Sequence, residues 1–191
     1  MKQKRPKIVL VTGGVRSGKS SFAEKLAGNI GRKVTFIATA QELDEEMTDR
    51  IAKHRSNRPN HWETYEEPYQ VERVIQKVGE KTEVILIDCL TLLVSNLMQD
   101  YREDESNNHL AKKLIKQIKE MVRESLQCSA TVIIVSNEVG LGLVPANPMG
   151  RFFRDILGQA NQIIGADADR VYFMTAGIPL LIKGKSDEAY F

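Results

Sequence analysis

The chain has 191 residues, 42% of them hydrophobic and 27% charged, which is the composition of a folded protein and the length of one ordinary domain. Its 27 basic and 25 acidic side chains leave a formal net charge of +2, which argues against a general binder of nucleic acid or membranes. Two cysteines, Cys89 and Cys128, are too few for a disulfide framework, and no apolar run approaches the roughly 20 residues that cross a bilayer. We therefore expect residues 1–191 to form a single domain of a cytoplasmic protein.

Short runs of β-branched residues alternate with amphipathic segments along the chain. We predict strands at residues 7–12, 33–38, 61–65, 83–88, 130–136, 170–175 and 179–183. We predict helices at residues 19–30, 45–56, 68–78, 90–98, 109–126 and 151–165. Because most strands are continuously apolar, this pattern is typical of an α/β fold with a mostly parallel sheet and helices on both faces. The last two strands, joined across Gly177, predict a C-terminal antiparallel hairpin.

The first strand leads into a glycine-rich loop that opens the first helix. Its sequence, GGVRSGKS, matches the Walker A pattern in full, and the elements on either side are those that the pattern requires. Such a loop curls its backbone N–H groups around phosphates, and the helix directs its positive end at them. The predicted phosphate-binding residues are Gly13, Gly14, Val15, Arg16, Ser17, Gly18, Lys19 and Ser20. Lys19 would act catalytically by bridging the β- and γ-phosphates, and Ser20 would be a ligand of Mg²⁺.

A carboxylate at the end of a later strand fits the other half of a metal site. Asp88 ends the apolar run VILID, the usual form of a Walker B element, and we predict that it holds Mg²⁺ together with Ser20. Its alternative role is to cap the next helix. The two motifs indicate a protein that binds a nucleoside triphosphate with Mg²⁺. A small-molecule kinase, an ATPase motor and a GTPase switch remain open, although the chain has no NKxD guanine-specificity motif.

A histidine among arginines forms a second group of candidates. His54 lies on the predicted helix 45–56, with Arg50 four residues before it and Arg58 four residues after it. Neighbouring cations disfavour a protonated imidazole, and a neutral imidazole is a nucleophile. Arginines can bind phosphate oxygens and stabilise charge on a leaving pyrophosphate. The pattern indicates either a histidine that attacks phosphorus or a structural helix histidine beside a solvated charged face.

Five segments stand in order along the chain: VTGGVRSGKSSFAE; FIATAQ with the LDEEM, KHR, NRP and HW that follow it; ILIDCLTLLVSNL; VSNEVGLGLVP; and RFFRDILGQANQ. Together they resemble the bacterial cobinamide kinase/cobinamide-phosphate guanylyltransferase family of cobalamin biosynthesis, the CobU/CobP type. The resemblance runs from about Lys7 to Lys183 with family-like spacing. It implies a RecA-like P-loop NTPase fold and a homo-oligomer of trimer type.

The resemblance implies a transferase with two activities in nucleotide-loop assembly. The kinase activity phosphorylates the aminopropanol hydroxyl of adenosylcobinamide with ATP or GTP. The guanylyltransferase activity moves GMP from GTP to that phosphate through a guanylyl-histidine, giving adenosylcobinamide-GDP and pyrophosphate. The alternatives are a monofunctional P-loop kinase, in which His54 is structural, and a non-enzymatic nucleotide switch.

The resemblance also implies roles for individual residues. The family's guanylylated histidine falls on His54, although some members have two adjacent histidines where this chain has Lys53-His54. Nucleotide contacts are implied at Thr39, Ala40, Gln41, Arg55, Ser56, Asn57, Arg58, Glu66 and Asp88. The Gly- and Pro-rich segment Asn137–Pro148 predicts a loop suited to shaping an acceptor site at the carboxyl ends of the strands.

Overall fold

The computed structural model describes residues 6–41, 58–102 and 107–185, together with positions 45, 48, 51 and 55. The described strands are β1 (Ile8–Gly13), β2 (Val34–Ala38), β3 (Glu63–Glu66), β4 (Val84–Asp88), β5 (Thr131–Val135), β6 (Arg170–Thr175) and β7 (Ile178–Lys183). They form one sheet in the order β3-β2-β4-β5-β1-β6-β7. Neighbouring strands are parallel except for β6 and β7, which are antiparallel. The predicted mostly parallel sheet with a C-terminal antiparallel strand is confirmed.

The described helices cover both faces of this sheet. They are α1 (Lys19–Ile30), α2 (Val71–Val78), α3 (Leu90–Leu97), α4 (Asn107–Gln127) and α5 (Pro148–Asp167), with a 3₁₀ turn at Met98–Asp100 after α3. Val9 and Val11 of β1 pack with Phe36 of β2 beneath α1. Ile8 and Leu10 point to the opposite face, where they pack with apolar residues of α2, α3, α4 and α5. Burial on both faces explains why the strands are continuously apolar in sequence.

The amphipathic patterns predict which helix faces are buried. The predicted stripe of α2 is buried in full, at Val71, Val74, Ile75 and Val78. The predicted inward residues of α4 are also buried, at Leu110, Leu114, Ile118, Met121 and Val122. Glu45, Thr48, Ile51 and Arg55 have helical backbone, as expected for the segment 45–56. Among the described helices, none is both long enough and apolar enough to cross a bilayer.

A side chain moves the start of α2 away from its predicted position. The helix begins at Val71 rather than at Pro68. Glu67 Oε1 accepts hydrogen bonds from the backbone N–H groups of Tyr69, at 3.0 Å, and of Gln70, at 2.9 Å. These two bonds hold the preceding residues in a turn, so the helix starts three residues later than the proline position indicates.

A similar cap lengthens α5. The helix begins at Pro148 rather than at Arg151, because Asn147 is its N-cap and Asn147 Oδ1 accepts from Gly150 N at 2.6 Å. Proline is well suited to the first helical position, where its missing N–H group is not needed. The loop predicted to end at Pro148 therefore ends one residue earlier.

Candidate functional site

The parallel order gathers the predicted site residues at the edge of the sheet where the strands end. Ala38, the last residue of β2, pairs with Glu66 at the end of β3 and with Asp88 at the end of β4. Residues 39–41 follow β2 at this edge, and the loop 13–20 follows β1 there. Ligands bind at the carboxyl ends of strands in open parallel sheets. The structure therefore brings these predicted residues together at the position where such a sheet holds a ligand.

The loop between β1 and α1 turns sharply over the end of its strand. The φ angle is +149° at Gly13, +55° at Arg16 and +91° at Gly18. A Cβ atom at Gly13 would lie 2.3 Å from the backbone oxygen of Met174, so only glycine fits beside β6 at this point. Arg16 adopts a left-handed conformation although it has a side chain, which is common in ligand-binding loops. Backbone of alternating handedness forms concavities that bind anions.

Positive charge converges on this loop. Lys19 Nζ donates to Gly14 O at 2.5 Å, so the ammonium group reaches back across the turn. α1 begins at Lys19, and the N–H groups of a first helical turn have no partner within the helix. Ser17 Oγ is buried and has no hydrogen-bond partner within the described residues. A phosphate group bound here would meet a lysine, a helix N-terminus and a hydroxyl donor.

Ser20 and Asp88 carry side-chain oxygen atoms of the kind that Mg²⁺ accepts as ligands. Ser20 lies in the first turn of α1, which packs across β1, β5 and β4, and Asp88 ends β4. Mg²⁺ usually takes one or two protein ligands and completes its shell with phosphate and water. In the described part of the chain, no group of three or more His, Cys, Asp or Glu side chains could hold a metal by itself. The residues present therefore fit an Mg²⁺ ion that binds together with a nucleotide.

Asp88 belongs to a cluster of charges with Glu24 and Arg58. Burial raises the pKa of the Glu24 carboxyl, the charge of Asp88 raises it further, and Arg58 lowers it. Burial lowers the pKa of Arg58, whereas Asp88 and Glu24 raise it. The Arg58 Cζ atom lies 3.6 Å from the ring centroid of Phe36, and Arg58 Nε is buried without a hydrogen-bond partner among the described residues. A stacked guanidinium with an unused donor is well suited to phosphate oxygens.

Thr39 joins the ends of two strands. Thr39 Oγ1 donates to Cys89 O at 2.7 Å and accepts from Cys89 N at 2.8 Å. Asn96 Nδ2 donates to Thr39 O at 2.7 Å and to Pro68 O at 3.0 Å. The Asp88–Cys89 peptide bond, which lies against Thr39, is cis. Thr39 therefore fixes the backbone that positions Asp88 and the residues after β2.

Gln41 has a hydrogen-bond donor to spare. Tyr69 OH donates to Gln41 Oε1 at 3.1 Å, and Gln99 Nε2 donates to Tyr69 OH at 2.8 Å. Gln41 Nε2 is buried and has no partner in the described part of the chain. Ala40, beside it, is half-buried at the same edge. Tyr69 thus fixes the amide of Gln41 with its donor side available to a ligand.

The segment before β3 contributes the remaining predicted cations. Arg55 forms an ion pair with Glu66, and both side chains are more than half exposed. Because Glu66 ends β3, this pair lies at the edge that also carries Asp88. The candidate nucleophile His54 lies outside the described residues, as do Ser56 and Asn57. The structure therefore places two arginines that follow His54 in sequence, Arg55 and Arg58, near the carboxyl edge.

The sequence analysis missed two residues near the site. Glu24 follows Ser20 by four positions, so helix periodicity alone places both on one face of α1, and this spacing was a usable signal. Tyr69 reaches Gln41 across 28 positions of sequence. No sequence pattern indicates the contact between Tyr69 and Gln41, because it depends on β3 lying beside β2 in the sheet.

Comparison with known proteins bears on the same residues. The model of the family "Cobinamide kinase / cobinamide phosphate guanyltransferase" matches residues 9–182, which span β1 to β7. The bifunctional adenosylcobalamin biosynthesis protein CobU of Escherichia coli (strain K12) is 40% identical over 181 residues, covering 92% of this chain and 99% of its own. CobU of Salmonella typhimurium (strain LT2) is 39% identical over 181 residues, with the same coverage.

A third relative has a different name. The bifunctional adenosylcobalamin biosynthesis protein CobP of Pseudomonas aeruginosa is 40% identical over 177 residues, covering 92% of this chain and 97% of its own. These relatives match nearly the whole chain at about 40% identity, which is more similarity than a shared fold alone requires. The same chain carries the phosphate loop, the carboxylate at the end of β4 and the parallel sheet. The chain therefore belongs to the cobinamide kinase/cobinamide phosphate guanyltransferase family, whose P-loop NTPase fold it has, and it is a transferase.

Proposed function

We propose that this chain catalyses both reactions of its family on one acceptor. It phosphorylates the aminopropanol hydroxyl of adenosylcobinamide with ATP or GTP. It then transfers GMP from GTP to the new phosphate, giving adenosylcobinamide-GDP and pyrophosphate. The observation that carries the proposal is the shared edge of the sheet, where the Lys19 loop lies with Asp88 and with Arg55 and Arg58. This edge offers a phosphate-binding loop and, separately, the cations Arg55 and Arg58. Phosphoryl transfer and GMP transfer act on different phosphorus atoms, and each can use one of these two groups.

In the phosphorylation step, the loop 13–20 holds the triphosphate. Its N–H groups and the N-terminus of α1 bind the β- and γ-phosphates, and Lys19 exchanges Gly14 O for phosphate oxygens. The acceptor hydroxyl attacks the γ-phosphorus and releases its proton to solvent, the bond from the γ-phosphorus to the bridging oxygen breaks, and ADP or GDP leaves while this positive charge stabilises the transferring group. Ser20 and Asp88 would hold Mg²⁺, which neutralises phosphate charge when bound.

In the GMP transfer, His54 is the nucleophile. A nitrogen of its neutral imidazole attacks the α-phosphorus of GTP, a P–N bond forms, the bond to the β-phosphate oxygen breaks, and pyrophosphate leaves. Arg55 and Arg58 disfavour protonation of a nearby imidazole and stabilise the charge on the leaving group. An oxygen of the acceptor phosphate then displaces the histidine from phosphorus. Support for this role comes from the Arg55–Glu66 ion pair and the stacked Arg58 at the carboxyl edge.

We propose that the nucleotide contacts extend from the loop across the same edge. The residues are Thr39, Ala40, Gln41, Arg55, Ser56, Asn57, Arg58, Glu66 and Asp88. The unused donors Gln41 Nε2 and Arg58 Nε support this set, because a ligand would satisfy both. Glu66 offers carboxylate acceptors to ribose hydroxyls or to the edge of a base.

Labelling with [α-³²P]GTP and Mg²⁺, followed by denaturing electrophoresis, tests the proposal. We expect label on the wild-type protein that is lost in acid and stable in alkali, as a P–N bond requires, and no label on His54→Ala. His109→Ala is the matched control, because His109 is an exposed histidine at the start of α4, and it should keep the label. An unlabelled wild type would contradict transfer through a histidine and favour the monofunctional kinase.

We also propose that the chain is a single domain, cytoplasmic, and associates as a homo-oligomer of trimer type. An apolar row, formed by Ile178, Leu180 and Ile182, runs along the edge strand β7 with exposed fractions of 65%, 56% and 58%. Apolar side chains on an edge strand favour association between copies. Both cysteines are free thiols, which suits a reducing compartment. One sheet that includes both β1 and β7 supports the single domain.

A further inference from the structure

The loop between β5 and α5, residues 137–147, is anchored beside the phosphate-binding loop. Glu138 N donates to Gly13 O at 3.0 Å. Asn161 Nδ2 of α5 donates to Asn137 O at 3.0 Å. These bonds fix the start of loop 137–147 against the end of β1. The loop therefore leaves the sheet at the edge where the triphosphate is proposed to bind.

Beyond this anchor, the loop presents apolar side chains to solvent. The exposed fractions are 83% for Leu141, 97% for Leu143 and 67% for Val144. Burying such side chains lowers the free energy, so exposing three of them in one loop leaves that stabilisation unused. Exposed apolar groups concentrated next to a ligand site are typical of a binding surface.

A polar cavity adjoins this apolar surface. It has a volume of about 320 Å³ and opens between the start of the loop and α5. Its walls include Glu138 of the loop and Arg154, Asp155, Gln159 and Gln162 of α5. Arg154 Nη1 is buried and has no hydrogen-bond partner within the described ranges. A bound ligand would complete this buried donor, and the neighbouring side chains offer both donors and acceptors.

We propose that loop 137–147 and the adjoining cavity bind the corrin macrocycle of the acceptor, an inference that rests on the proposed function. A corrinoid has a broad ring with methyl-bearing apolar surface and primary amide side chains around its rim. The three exposed apolar side chains match the ring, and Arg154 with the two glutamines matches the amides. The hydrogen bond from the loop to Gly13 holds this surface beside the phosphate cradle. A macrocycle bound there would lie next to the loop 13–20, so its aminopropanol arm could extend toward the bound triphosphate.

Equilibrium dialysis against adenosylcobinamide, followed by corrin absorption in dim light, tests this surface. In the double variant Leu141→Ser/Leu143→Ser we expect the dissociation constant to rise roughly tenfold or more, because two apolar contacts are lost. Arg154→Met keeps the aliphatic stem and should raise the dissociation constant roughly fivefold through lost hydrogen bonds to amides. Thermal melting followed by circular dichroism shows that each variant is folded.

Leu126→Ser is the matched control for the loop. Leu126 is 42% exposed and lies near the end of α4, which leads into the start of β5. That end of the helix is at the opposite edge of the sheet, so the substitution removes an exposed leucine far from the proposed surface. Its dissociation constant for adenosylcobinamide should equal that of the wild type.

Corrinoid binding and GMP labelling separate this inference from the proposed function. Loop-dependent corrinoid binding by a protein that [α-³²P]GTP does not label supports the surface and contradicts the His54 chemistry. Unchanged affinity in both the loop and the Arg154 variants overturns the surface, and so does a wild type that binds no adenosylcobinamide. An altered oligomeric state of the double variant with unchanged corrinoid affinity also overturns it, and assigns the loop to a contact between copies.

Discussion

Glu24 shares the carboxyl edge with Asp88, and burial together with that negative charge raises its pKa. The folded protein therefore keeps the Glu24 proton at pH values where the unfolded chain has released it. The free energy of unfolding falls as the pH rises from the ordinary range of glutamate to the raised pKa, and it stays lower above that window. We expect metal-free Glu24→Gln to melt above the wild type at about pH 7.5 and close to it at about pH 4. Differential scanning calorimetry at both pH values measures the two differences.

Glu45→Gln is the control for this substitution, because Glu45 is exposed. It changes the net charge by the same amount, and its melting temperature should follow that of the wild type at both pH values. A Glu24→Gln variant that melts below the wild type at neutral pH would contradict the prediction. It would mean that the ionised carboxylate gains more from Arg58 than it loses by burial.

Individual residues of the candidate site were predictable where their geometry is local. The positive φ angles at Gly13 and Gly18 follow from the spacing of the loop motif, and Asp88 ends its strand as the apolar run indicates. The stacking of Arg58 on Phe36 was not predictable. It joins two segments whose proximity depends on which strands are neighbours, and the sequence pattern does not encode that order.

At the scale of elements, the turn between β6 and β7 has positive φ at both central residues, +49° at Ala176 and +80° at Gly177. Two-residue hairpins of type I′ have this conformation, which costs a residue with a side chain about 1 kcal/mol or more. Ala176→Gly should therefore raise the free energy of unfolding by about 0.5 kcal/mol after the added entropy of glycine. Gly177→Ala should lower it by about 1 kcal/mol. Urea denaturation monitored by circular dichroism measures both changes.

The two substitutions in this turn control for each other, since each exchanges the same pair of residue types at adjacent positions. A Cβ atom at Gly177 meets no atom within 4 Å, so the cost there is that of the backbone angle alone. If both variants lose stability equally, the backbone conformation of the turn does not limit stability and the prediction is wrong.

Element types were predictable because each one has a periodic apolar pattern that packing then satisfies, as the buried stripes of α2 and α4 demonstrate. The residues at which elements begin and end were less predictable. The start of α2 depends on the carboxylate of Glu67 and the start of α5 on the amide of Asn147. These local side-chain hydrogen bonds, two at Glu67 and one at Asn147, compete with proline and glycine signals, and their outcome depends on geometry that a pattern does not contain.

At the scale of the whole molecule, the apolar row on β7 is the feature that bears on association. Leu180 stands at its centre, on a strand whose outer edge has no neighbour in the described sheet. Leu180→Lys places a charge in this row, and burying an unpaired charge between copies is strongly unfavourable. We expect sedimentation velocity to show the wild type as an oligomer and Leu180→Lys as a smaller species at the same protein concentration.

Leu126→Lys provides the comparison, because it introduces the same charge at an exposed leucine on a helix away from β7. Its sedimentation coefficient should remain that of the wild type. If Leu180→Lys sediments like the wild type, β7 is not the contact between copies.

The hydrogen bond from Lys19 Nζ to Gly14 O has a consequence for the entropy of nucleotide binding. A lysine side chain loses up to about 2 kcal/mol of rotamer freedom when it is immobilised. Here folding has already ordered that side chain, and the backbone of Ser17 beside it is held by a 3.1 Å hydrogen bond from Gly177 N. In the proposed phosphate site, triphosphate oxygens would replace Gly14 O as the acceptor of Lys19, and little conformational entropy would be lost on binding. The loop is therefore preorganised for a phosphate ligand. The favourable enthalpy of its charge-assisted hydrogen bonds would be offset little by the entropy of ordering Lys19.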